Sequence, residues 1–177
     1  MFDFHIPPAV ENELRREVEE IVSRTGIYAR IFSRIKTVSS IKHKFSIKEY
    51  NEQKKMQDLF GIRMVLYFKD DIDVCRELIQ RSFSVVDISE DHDTATVFKP
   101  KRLNMVCELP PDIISLIDSK ALEEHFIDTT FEIQLRTVFS EGWHEIEHDL
   151  RYKRKDEWND DQIALRILNG IYSRSRP

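Results

Sequence analysis

Four residues in the first quarter of the chain have the types and spacing to grip a polyanion: Arg34, Lys36, Ser40 and Lys44. Read as one helical stretch from Tyr28 to about Lys44, with Ile31, Ile35, Val38 and Ile41 interleaved among its cations, the segment sets residues 36, 40 and 44 on one face. Positions four apart in a helix are neighbours on its surface, so two ammonium groups and a hydroxyl would form a stripe. A triphosphate calls for several such charged donors at once. The plain alternative is a solvated helix face.

Two further pieces could complete a phosphate-transfer site. In Asp58-Leu59-Phe60-Gly61-Ile62-Arg63 a carboxylate leads into a buried strand and a guanidinium follows five residues later. In Phe131-Glu132-Ile133-Gln134-Leu135-Arg136-Thr137 the alternation of polar and apolar residues places Glu132, Gln134 and Arg136 on one face of a strand. One carboxylate from each segment, Asp58 and Glu132, could share a Mg²⁺ ion, which takes few protein carboxylates and fills its shell with phosphate oxygens and water. Each piece alone also has a structural reading, as an ion pair or a half-exposed sheet face. Their combination is more specific.

A competing motif is set aside. His144-Glu145-Ile146-Glu147-His148 satisfies H-E-x-x-H on a helix, the zinc-protease pattern. Zinc needs a third protein ligand, and Arg151 and Arg154 stand where the extended motif would place Gly and His. The acidic stretch at residues 90–94 has no second cluster to complete a metal site and reads as a polar loop.

These residues need a scaffold. Val10, Leu14, Val18, Ile21 and Val22 recur at helical spacing after Pro7 and Pro8, and Gly26 stops that helix. Strands are predicted at Gly61–Phe68, Phe83–Ser89, Leu103–Leu109 and Phe131–Leu135, and helices at Asp70–Arg81, about Thr137–Lys155 and about Asp160–Tyr172. Helices mixed with four or more short strands predict an α/β or α+β domain around one sheet. With 177 residues, the chain fits one domain over residues 1–177, its core at about 10–155 and a C-terminal helix at about 160–172. The net charge of −5 argues against a general nucleic-acid binder, whose footprint is strongly basic. No signal peptide, membrane span, repeat or linker is read. Cys75 and Cys107 form neither a zinc pattern nor a disulfide framework, so a cytoplasmic protein is expected.

The blocks RIKTVSSIKHK, DLFGIR, FEIQLRT and WHEIEHDLRYK, in this order, resemble the synthetase domain of the RelA/SpoT family, particularly the small stand-alone alarmone synthetases. The resemblance implies a mixed sheet of about five strands flanked by helices, related to nucleotidyltransferases. It also implies transfer of the β,γ-pyrophosphate of Mg·ATP to the 3′-hydroxyl of GDP or GTP, giving (p)ppGpp. By the same resemblance, Arg34 and Arg63 would sandwich adenine, Lys36, Ser40 and Lys44 would meet phosphates, and Asp58 and Glu132 would hold Mg²⁺. Glu132 would also take the acceptor's proton, Gln134 and Arg136 would position ribose and phosphate, and His148, Tyr152 and Lys153 would buttress the site.

The acceptor half departs from the family pattern. The family carries G-Y-x-S-x-H before the E-x-Q block, its Tyr stacking on guanine; an ungapped match puts Lys99, Pro100, Arg102 and Asn104 at the Gly, Tyr, Ser and His. Glu141 stands where Asn or His is common, and Lys99, Lys101 and Arg102 make a basic patch. Three expectations follow for the acceptor side: a guanine nucleotide held differently, another 3′-hydroxyl such as a tRNA end, or a non-catalytic nucleotide-binding module. A homo-oligomer and an antitoxin-like partner both stay open.

Overall fold

In the computed structural model, residues 6–90 and 102–142 are described. Pro7 precedes the first helix, α1 (Pro8–Ser23), whose Val10, Leu14, Val18 and Val22 form one buried stripe. Proline at the first helical position suits a place where the amide N–H has no helical partner. The chain then reverses at Gly26, which sits at φ +76° with open space around it, a conformation glycine adopts without a Cβ penalty.

The predicted helix over residues 28–44 is instead a strand followed by a helix: β1 (Ala29–Ile35) and α2 (Val38–Ile47). The reason lies in the period. Ala29, Ile31, Ser33 and Ile35 alternate with more exposed Arg30, Phe32 and Arg34, a repeat of two that a pleated strand satisfies and a helix does not. Thr37 marks the switch as N-cap of α2, its hydroxyl accepting a hydrogen bond from Ser40 N at 3.3 Å. Lys36 therefore lies on the connection, not on the helix.

The remaining elements are β2 (Phe60–Leu66), α3 (Asp71–Ser82), β3 (Val85–Glu90), β4 (Arg102–Glu108), the short helices α4 (Pro111–Ile114) and α5 (Ser119–Glu124), and β5 (Thr130–Thr137). The strands form one five-stranded sheet in the order β1-β2-β5-β4-β3, with β2 and β5 parallel and the other neighbours antiparallel. This is the mixed sheet that was expected. The two short helices were not predicted; at four and six residues they carry no readable period.

One core joins the sheet to the helices. Phe60, Ile62, Met64 and Leu66 on β2, Phe131, Ile133 and Leu135 on β5, and Leu103, Met105 and Cys107 on β4 cluster with the buried stripes of α1 and α3. Phe131 and Phe83 meet edge to face, centroids 5.2 Å apart. Cys75 and Cys107 are free thiols in this core, and burial pushes them up to about 11 and about 12. Among the described residues no helix is long and apolar enough to cross a membrane.

Candidate active site

With one sheet face filling the core, the opposite face is left to carry chemistry, and the register sets its order. Paired residues share a face, so Arg34, Gly61, Glu132 and Val106 form one row across β1, β2, β5 and β4. Phe32, Arg63, Gln134 and Asn104 form the next, and Arg30, Val65, Arg136 and Arg102 the third. Gly61 matters for what it lacks: a Cβ there would stand 3.5 Å from Arg34 Nε, so the arginine lies across the glycine.

Asp58 enters from the segment just before β2. Lys36 N donates to Leu59 O at 2.9 Å, which holds Lys36 beside it. Lys36 Nζ and Lys44 Nζ both donate to Asp58 Oδ2. The expected stripe of 36, 40 and 44 is thus realised by another geometry: the two lysines arrive from a connection and a helix and meet on one carboxylate. Burial raises the Asp58 carboxyl, but the hydrogen bonds and charges of Lys36 and Lys44 outweigh it and hold Asp58 below the usual carboxylate range. Burial pulls Lys36 down. Ser40 is exposed on α2, with its hydroxyl 2.9 Å from that of Thr37.

Glu132 faces the same cleft as Asp58 and Lys44, a space of about 560 Å³. Its Oε2 accepts from Gln134 Nε2 at 3.1 Å. Sequence reading missed Lys48, Tyr50, Lys54 and Lys55, which also line this cleft. The available signals were the density of lysine over residues 48–55 and Asn51, whose Oδ1 accepts from Gln53 N and Lys54 N at 2.9 and 3.0 Å and so pins a turn.

A second cavity of about 290 Å³ lies farther along the sheet, lined by Phe32, Arg34, Gly61, Arg63, Gln134 and Glu141 among others. The structure thus brings Arg34 and Arg63 into one cavity. Arg63 is fixed at its edge: Nε donates to Gln134 Oε1 at 3.2 Å and Nη1 to Glu141 Oε1 at 2.5 Å. Glu141 also pairs with Arg136, through Oε2 at 3.5 Å. It gets there because β5 runs directly into a helical turn at residues 138–142. Thr137 and Ser140 cap that turn reciprocally, each hydroxyl accepting the other's backbone N–H at 2.8 and 3.1 Å. Arg136 is 5% exposed, and burial together with nearby Arg63 and Arg102 pulls its pKa down. Glu141, expected on the acceptor side, thus sits with the paired arginines.

Arg102 and Asn104 open β4 on the site face, opposite Arg136 and Gln134. Asn104 Oδ1 and Arg136 Nε are buried with no hydrogen-bond partner among the described residues. Buried polar groups left unmatched are rare in folded proteins. Lys99, Lys101, the HEIEH segment, Tyr152 and Lys153 lie outside the described residues.

The arrangement gathers a carboxylate pair, two ammonium groups and two guanidiniums of one cavity about the open face of the sheet. The family described as "Region found in RelA / SpoT proteins" matches residues 33–157, from β1 through the site. The chain belongs to the RelA/SpoT family. The GTP pyrophosphokinase YjbM of Bacillus subtilis (strain 168) is 31% identical over 154 residues, covering 82% of this chain and 66% of its relative, so the chain spans just under two thirds of that protein's length. Among solved structures, the small alarmone synthetase 1 from Bacillus subtilis superposes with a TM-score of 0.69 at 25% identity, over 94% of this chain and 86% of that one. A structure of that synthetase bound to AMPCPP gives a TM-score of 0.63, again at 25% identity over 94% and 86% of the two chains. RelA/SpoT membership fits the fold: the mixed sheet of about five strands that the resemblance implied is the one observed, in a chain that superposes on that synthetase over 94% of its length.

Proposed function

We propose that this chain is a nucleotide pyrophosphokinase, moving the β,γ-pyrophosphate of Mg·ATP to the 3′-hydroxyl of an acceptor, for which a guanine nucleotide is the first candidate. The observation that carries the reading is the convergence of Lys36 and Lys44 on Asp58 in the cleft that Glu132 faces. The relative's description as a GTP pyrophosphokinase and the neighbour's complex with AMPCPP support it.

The carboxylates fit a hard divalent cation. Among the described residues, Asp58 Oδ1 and Glu132 Oε1 accept no hydrogen bond, which leaves one oxygen of each open to an ion. Oxygen donors few in number suit Mg²⁺ with phosphates completing its shell. When bound there, Mg²⁺ supplies charge that offsets the growing negative charge on the phosphoryl oxygens. The chain's own residues do the rest. Arg34 and Arg63 present guanidinium faces to the base. Lys36 and Lys44 exchange the carboxylate for phosphate oxygens, with Ser40 beside them. Glu132 takes the proton from the acceptor 3′-hydroxyl as its oxygen attacks the β-phosphorus. The bond from that phosphorus to the α–β bridging oxygen breaks, and AMP leaves. An acceptor entering the 560 Å³ cleft meets Lys48, Lys54 and Lys55, three cations suited to its 5′-phosphates.

Incubation with γ-³²P-ATP and Mg²⁺ against GDP, GTP, other nucleotides and bulk tRNA, resolved by chromatography, tests the reading. A labelled nucleotide product with AMP in equal amount is expected. Label on tRNA alone would redirect the acceptor, and no product with any acceptor would leave a nucleotide-binding module.

A further inference from the structure

Among the described residues, the cavity that holds Arg34 and Arg63 is lined by one carboxylate, Glu141. The neutral polar side chains of the lining are engaged. The Ser33 hydroxyl donates to Glu11 Oε1 at 2.8 Å. The Gln134 carbonyl accepts from Arg63 Nε and Arg136 Nη2 at 3.2 and 3.3 Å, and its amide donates to Glu132. Two donors of Arg63 are engaged at its edge, by Gln134 and Glu141, so its flat face is the part presented for stacking. Glu141 is different. A carboxylate offers about four lone-pair sites, and the two arginines each contribute a single bond, one of them long at 3.5 Å. Acceptor capacity is left over at the cavity wall, on a negatively charged group.

We infer that Glu141 is the specificity-determining residue for the donor base, accepting a hydrogen bond from a purine 6-amino group and rejecting a 6-oxo group. This rests on the proposed function, which places the donor base between Arg34 and Arg63. Adenine carries N–H donors at its 6-position, where guanine and hypoxanthine carry an oxygen. A carboxylate facing that oxygen meets acceptor with acceptor, and a site built for a donor rejects the analogue lacking it more strongly than an apolar pocket does. The two arginines hold Glu141 in place; without the base they are its only partners among the described residues.

The test is equilibrium binding of ATP, ITP and purine riboside triphosphate, each with Mg²⁺ and no acceptor. The last has hydrogen at the 6-position. The wild type is expected to bind ATP at least tenfold tighter than ITP, with purine riboside triphosphate between them. Glu141→Gln is expected to cut the ATP-to-ITP ratio below threefold, because an amide can donate to the 6-oxo group. Arg34→Ala is expected to weaken all three nucleotides by a common factor. If Glu141→Gln weakens ATP and ITP equally, Glu141 only holds Arg63 and the inference fails while the proposed function stands. If Arg34→Ala leaves ATP binding unchanged, the donor base lies elsewhere and both fail. Should Glu141→Gln not fold, the wild-type ranking decides alone: ITP equal to or tighter than ATP overturns the inference.

Discussion

Asp58 and Glu132 face one cleft, but they stand in different company. Asp58 is bonded to two lysines, whereas among the described residues Glu132 makes no ion pair and accepts from Gln134 alone. Asp58→Asn and Glu132→Gln keep volume and remove charge, so each should lower transfer by a factor of about 100 or more, the range for a general base or a charge-stabilising group. Circular dichroism should show an unchanged fold. A variant retaining a tenth of wild-type turnover would exclude its residue from the chemistry. Asp58 also leaves a mark on acid stability. Its carboxyl is lowered in the folded state, so its stabilisation is present above the ordinary value of 3.8 and is lost as pH falls through the lower folded value. Asp58→Asn should therefore flatten the fall of melting temperature on acidification below about pH 4, relative to wild type. Glu132 and Gln134 were legible in the sequence because alternation along a strand fixes which face a residue takes; Asp58, Arg34 and Arg63 were picked out by residue type, spacing and family resemblance, Arg34 on a segment whose period read as helical. Lys48, Tyr50, Lys54 and Lys55 were not, since a polar stretch without period does not say which cleft it overhangs.

Between β1 and α2 the sequence carried two signals, and the weaker one decided the structure. Ile31, Ile35, Val38 and Ile41 fit a helical repeat, but Ala29, Ile31, Ser33 and Ile35 fit a strand, and β1 has a partner ready in β2. Tertiary pairing overrides local propensity where both are affordable to the chain. The cost of misreading was small for the lysines only because Lys36 lies between the end of β1 at Ile35 and the cap of α2 at Thr37. Thr37→Ala removes the side-chain cap and should lower stability by about 1 kcal/mol in urea titration. It should also weaken Mg·ATP binding, since Lys36, Ser40 and Lys44 flank or belong to the helix it starts. A loss of stability with nucleotide affinity untouched would show that α2 is positioned by packing alone. The mirror case is Thr137, where the sequence showed a strand running into a helix but gave no sign that the Thr137–Ser140 pair aims Glu141 at Arg63.

At the scale of the whole molecule, β5 is the keystone, lying between β2 and β4 and carrying core residues on one face and site residues on the other. Phe131 is 0% exposed and meets Phe83 edge to face, so Phe131→Ala should cost about 3–5 kcal/mol, a large share of the roughly 5–15 kcal/mol typical of a domain. Guanidinium denaturation should show the midpoint falling steeply with the slope nearly unchanged. A loss below about 1 kcal/mol would mean that the core around β5 closes over the gap. The position of β5 has a further consequence, for the order in which the protein is made. A chain leaving the ribosome releases β1 with β2, and β3 with β4, as two separate antiparallel pairs, while the strand that belongs between them is still unsynthesised. Gly61 waits for Glu132, a partner 71 residues downstream. Until β5 emerges, β2 and β4 each present an open hydrogen-bonding edge to whatever else is near. The nascent chain therefore holds Asp58 early and Glu132 late, and the face that would bring them together does not exist at any length short of β5.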